Sequence, residues 1–76
     1  MQYVTSYLID NVNVEFYIDS DYLLHEKATD RDTGIEIERV PSMRQIIGNI
    51  AWLLDNSIYA DSANDLLMVV LQICNK

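Results

Sequence analysis

His25 is the one histidine in the chain and stands next to Glu26, a pairing that general acid–base chemistry can use. No second group completes a catalytic set around it, so the pair reads as an ordinary solvated stretch. Ser6, Ser20, Ser42, Ser57 and Ser62 occur without a nucleophile-elbow motif. Cys74 is the single cysteine and lies in the most apolar segment, where it reads as a small core hydrophobe rather than a reactive thiol. One histidine and one cysteine fall short of the four ligands of a structural zinc site, and one cysteine forms no internal disulfide.

Carboxylates are plentiful, yet none falls into a recognisable site. Asp30-Arg31-Asp32-Thr33-Gly34 begins like a calcium loop. Its glycine comes one position early, and Pro41 stands where a bidentate glutamate is needed, so the stretch reads as turn chemistry. Glu36 and Glu38 project from one strand face about 7 Å apart, a spacing that could suit glycoside hydrolysis. The chain around them lacks the length to build a pocket. With two glycines, Gly34 and Gly48, there is no phosphate-cradling loop. The expectation is a protein that is not an enzyme and carries no metal or cofactor.

Charge carries more information. The net charge is −7, and all of it lies in residues 1–38. There, Asp10, Glu15, Asp19, Asp21, Glu26, Asp30, Asp32, Glu36 and Glu38 oppose only Lys27 and Arg31. Later acids (Asp55, Asp61, Asp65) and bases (Arg39, Arg44, Lys76) cancel. Direct nucleic-acid binding is disfavoured, because no basic patch exists to meet phosphates. Tyr3, Tyr7, Tyr17 and Tyr22 would suit stacking on RNA, but the neighbouring acids repel its backbone. A basic protein partner is favoured by long-range steering.

The elements that would position these groups follow from periodicity. Val12, Val14, Phe16 and Ile18 alternate with polar residues, the mark of a half-buried strand. Tyr3 to Ile9 is rich in β-branched and aromatic residues, and Asp10-Asn11 suits a tight turn, with Asn the residue that tolerates positive φ. Residues 2–19 therefore read as a hairpin. Tyr22 to Thr29 suits helix or strand equally by composition. The polar loop ending in Gly34 and the alternation over Ile35–Val40 favour a second hairpin, 22–29 with 35–40. Pro41 ends the sheet.

Ser42 and Gln45 form a capping box that starts a helix running to about Asp55. Met43, Ile46, Ile47, Ile50, Leu53 and Leu54 make its apolar stripe, with Trp52 off centre. Gly48 costs about 1 kcal/mol against alanine and suggests a close contact. Asn56-Ser57 breaks this helix. Ser62-Ala63-Asn64-Asp65 signals the start of a last one, Ala63 to Asn75, with Asp65 suited to the helix dipole. Leu66, Leu67, Met68, Val69, Val70, Leu71, Ile73 and Cys74 leave Gln72 as the one polar residue among nine, so this helix must be covered on more than one side.

The expected fold is α+β: one domain over residues 1–76, a four-stranded antiparallel meander in an acidic β part (1–40), then two C-terminal helices packed on one face (41–76). A chain of 76 residues has little stability to spare. Half its residues are hydrophobic, and self-association would use them. A homodimer through Leu66, Leu67, Val70, Leu71, Ile73 and Cys74 is expected. No run reaches the ~20 apolar residues of a membrane span. No signal peptide is visible, which sets a cytoplasmic expectation.

With Val12, Val14, Phe16, Ile18, Ile35 and Ile37 turned inward, Glu15, Tyr17, Glu36 and Glu38 point outward beside Asp19. Asp30 and Asp32 lie at a turn. This acidic, tyrosine-bearing wall is the candidate partner site. In size and charge alone the chain resembles small phage-encoded inhibitors of restriction or CRISPR complexes. Antitoxins and immunity proteins follow the same logic of an acidic protein masking a basic enzyme. Two other readings compete: a structural homo-oligomer whose acidic face serves solubility, and, last, a small enzyme with carboxylate chemistry.

Overall fold

A computed structural model of the chain describes residues 1–56 and 59–75. Its elements are β1 (Gln2–Ile9), β2 (Val12–Ile18), β3 (Leu24–Asp30), β4 (Glu36–Arg39), α1 (Met43–Asp55) and α2 (Ala60–Cys74). The strands form one antiparallel sheet in the order β1-β2-β3-β4, so the architecture is α+β: a meander followed by two helices. The chain divides into two compact units, Met1–Val40 and Pro41–Lys76.

In the first unit, β1 pairs with β2 from Gln2↔Ile18 to Ile9↔Val12, with a register shift between Tyr3 and Thr5. The turn between them places Asp10, not Asn11, in the left-handed region at φ 53°. Tyr22 is left-handed as well, at φ 63°, which takes it out of the expected third strand and delays β3 to Leu24. Asp19 fastens that turn: its Oδ1 accepts from the backbone N–H groups of Asp21 (2.8 Å) and Leu23 (3.0 Å). The ambiguous 22–29 segment is thus a strand, paired with β2 along its whole length. Gly34 supplies the left-handed residue (φ 74°) of the β3–β4 turn, and Asp30 Oδ1 caps the Asp32 N–H at 2.9 Å.

Phe16, Leu24, Val14 and Tyr7 are buried, along with Thr5 and Glu26. Val12 and Ile18 are half-buried. Ile35 and Ile37 depart from expectation: they are 61% and 64% exposed. The register puts Ile37 on the face of Val14 and Ala28, but β4 is a short edge strand, and alternation alone does not bury a residue at an edge.

In the second unit, Gln45 N–H donates to Ser42 Oγ (3.2 Å) and Ser42 N–H to Gln45 Oε1 (2.9 Å), the complete capping box. Asn56 caps the other end of α1, and its side-chain amide donates to the Trp52 carbonyl at 2.9 Å. Ser57, the other half of the expected break, lies outside the described residues. A side chain at Gly48 would meet nothing within 4 Å, so that glycine marks no close contact. α2 begins a turn earlier than expected. Ala60 opens it, Tyr59 occupies the cap position, and Ser62 is buried inside the helix rather than capping it. Asp61 in the first turn complements the helix dipole there.

The two helices pack on one another, with Ile46, Ile50 and Leu53 buried on α1 and Ala63, Leu66, Val69 and Val70 on α2. Fully burying a side chain such as Phe16, Leu53 or Leu66 stabilises by about 1.5–3 kcal/mol each. Among the described residues, no helix is long and apolar enough to cross a membrane.

Candidate functional site

Antiparallel pairing aligns the polar positions of the four strands into three rows on one face of the sheet. The first row is Tyr3–Tyr17–His25, the second Ser6–Glu15–Lys27–Glu38 and the third Leu8–Asn13–Thr29–Glu36. Period-two alternation decides which residues share the face, and the register decides which ones meet. Glu15, Tyr17, Glu36 and Glu38 therefore stand together, as the sequence suggests.

Lys27 is central to this wall. It lies directly opposite both Glu15 and Glu38, and its Nζ is 3.4 Å from Glu36 Oε1. Three carboxylates thus surround one ammonium, and the face keeps a negative balance. Tyr17 donates its hydroxyl to Glu15 Oε2 at 2.6 Å. That hydrogen bond holds the phenol above its ordinary pKa, because losing the proton would set two anions together. Tyr3 packs edge-on against Tyr17, with ring centroids 5.8 Å apart. An open depression of about 410 Å³ lies over the third row, lined by Leu8, Asn13, Glu15, Thr29, Arg31 and Glu36.

The other expected site residues sit at the ends of the sheet. Asp19 Oδ2 lies 2.8 Å from His25 Nε2. This contact, followed by the backbone N–H of Leu23, holds the Asp19 carboxyl below its ordinary value. Asp30 is spent on its own turn, where Oδ1 receives Asp32 N–H. Asp32 accepts from Asn11 Nδ2 at 2.7 Å, and Arg31 N–H donates to the Asn11 carbonyl at 2.8 Å, which laces the first and third turns together. These two carboxylates contribute to the field of the sheet end, but they lie off the three rows.

One pair escaped the sequence reading. Glu26 is not a companion of His25: it points to the opposite face, where Arg39 clasps it through Nε–Oε1 (3.0 Å) and Nη2–Oε2 (3.1 Å). The available signal was parity, since Glu26 falls in step with buried Leu24 and half-buried Ala28.

On α2, Leu66 and Val70 of the expected oligomer interface are already buried within the chain. Ile73 is half-buried. Leu67 and Leu71 are exposed, and Cys74 is an exposed free thiol rather than a core residue. Among the described residues, no group of three or more His, Cys, Asp or Glu is placed to hold a metal ion. No known protein family, curated protein or solved structure matches the chain significantly.

Proposed function

We propose that this chain is a non-enzymatic binding protein whose acidic sheet face docks on the basic surface of a protein partner and masks it. The observation that carries the reading is the surplus of Glu15, Glu36 and Glu38 over Lys27 on one exposed wall, flanked by Tyr3 and Tyr17. The field extends beyond that wall, since residues 1–40 hold nine carboxylates against three basic side chains. Such a field speeds encounter with a cationic surface and repels acidic competitors. Tyrosines beside it supply contact area at low entropic cost.

The basic surfaces most often exposed to capture are those that grip nucleic acid. A partner that acts on DNA or RNA is therefore the best fit, as for inhibitors of restriction or CRISPR complexes and for antitoxins or immunity proteins. The test is capture from lysate of the native host with the wild-type chain and with a Glu15→Gln/Glu36→Gln/Glu38→Gln variant. A basic protein retained by the first and lost by the second, and released from its nucleic acid by the wild type, supports the reading. Retention by both baits removes it.

A second reading rests on a separate observation. Met43, Ile47 and Leu54 on α1, and Leu67, Met68 and Leu71 on α2, are all exposed. A homo-oligomer would cover them. Light scattering on Leu67→Asp tests it: an unchanged native mass excludes α2 as the interface.

A further inference from the structure

The sheet has two free edges, β1 and β4. β1 carries the register shift between Tyr3 and Thr5, the kind of irregularity that spoils an edge as a template. β4 pairs with β3 without a shift from Thr29↔Glu36 to Glu26↔Arg39. All four of its residues are exposed, as are Ile35 before it and Val40 after it. An antiparallel edge presents every second N–H and C=O outward. Here that backbone is bordered by Ile35 and Ile37 on one side and by Glu36 and Glu38 on the other.

We propose that β4 receives an extended segment of the basic partner by strand addition. Lysine or arginine would stand on the side of Glu36 and Glu38, and aliphatic residues on the side of Ile35 and Ile37. The proposal rests on the acidic-face reading and specifies how that face is engaged.

Charge selects the occupant. A second copy of the chain pairing β4 with β4 would set glutamates against glutamates at a cross-strand separation of roughly 5 Å, where like charges oppose association. A strand with cations at alternate positions meets them with the opposite sign, next to a carboxylate row that Lys27 only partly neutralises. Its aliphatic residues cover Ile37, which is 64% exposed although it shares the face of buried Val14. Main-chain hydrogen bonds then supply affinity and the alternating side chains supply selectivity.

The test uses the intact chain and a short peptide of alternating lysine and valine. The comparison peptides are the same sequence N-methylated at every second residue and a version with glutamate for lysine. Affinity is read by fluorescence anisotropy and site by amide hydrogen exchange. The lysine peptide should bind and slow exchange at alternate amides within residues 36–39. N-methylation should weaken it about tenfold or more, since it removes main-chain donors. Ile37→Lys, at an exposed position, should weaken it similarly with the fold intact, and the glutamate peptide should not bind.

Equal binding of the methylated and unmethylated lysine peptides overturns strand addition and leaves the acidic-face reading standing. Absence of lysine-peptide binding at low ionic strength overturns both. Protection of the β4 amides by dimerisation, without peptide, overturns the assignment of a basic occupant.

Discussion

Arg39 grips Glu26 with two parallel hydrogen bonds, and the two partners are unequally exposed: the Glu26 side chain is 11% accessible and that of Arg39 49%. The consequences of removing one or the other therefore differ. Arg39→Ala strips a buried carboxylate of its partner, and the carboxylate must find water or take up a proton. With one partner half in solvent, the cost should be about 1–3 kcal/mol, below that of a fully buried pair. Arg39→Ala combined with Glu26→Met, which fills the site with apolar volume, should recover much of the loss. Urea titration of the three variants checks the order.

The acid limb of stability should report Asp19. Folding lowers its pKa below the ordinary 3.8, first through the His25 contact and then through backbone N–H groups. The folded state therefore prefers the ionised form. That contribution is complete above the unfolded value and is lost as pH falls through the folded one. Asp19→Asn should be less stable than wild type at neutral pH, and the gap should narrow in strongly acidic solution. Denaturant midpoints measured across that range test it, and nuclear magnetic resonance titration of the carboxyl should give a midpoint below 3.8.

Tyr7 controls the opposite limb. Burial is the main force that raises its pKa from 10.0 to about 12, the nearby Glu26 carboxylate adds to it, and Arg39 opposes. A raised phenol stabilises the folded state fully below pH 10.0, and this contribution drains away as pH rises towards about 12. Tyr7→Phe should flatten the alkaline loss between those two values. Thermal melts in alkaline buffers measure the difference.

How far the sequence revealed the fold depends on whether a signal is local. The alternation of Val12 to Ile18 and the Ser42/Gln45 box are complete within a few residues, and both appear as read. The Ile35–Ile37 alternation is equally clean, yet both residues are exposed. Whether a strand is at the edge depends on pairing order, which no single strand encodes. Glu26 is the converse. A charged residue reads as outward until Arg39, thirteen positions on, is placed beside it by the β3–β4 register. The start of α2 misled for a third reason: Ser62 is a competent cap, but Ala60 and Asp61 ahead of it already sustain helix. The site was legible as a set of acids sharing a face. That Lys27 sits among them emerged only from the register.

The two glycines should respond to the same substitution with opposite sign. A methyl group at either meets nothing within 4 Å, so packing contributes no difference and backbone conformation alone decides. Gly34 sits at φ 74° in the β3–β4 turn, where an L side chain is strained. Gly34→Ala should cost roughly 1 kcal/mol or more and loosen the turn that presents Glu36. Gly48 lies inside α1, where glycine is the poorer helix former. Gly48→Ala should stabilise by up to about 1 kcal/mol, because alanine gives up less backbone freedom on folding. Denaturant midpoints of the two variants should bracket that of the wild type. If Gly48→Ala fell below it, the exposed face of α1 would have to approach some further surface that a methyl group disturbs.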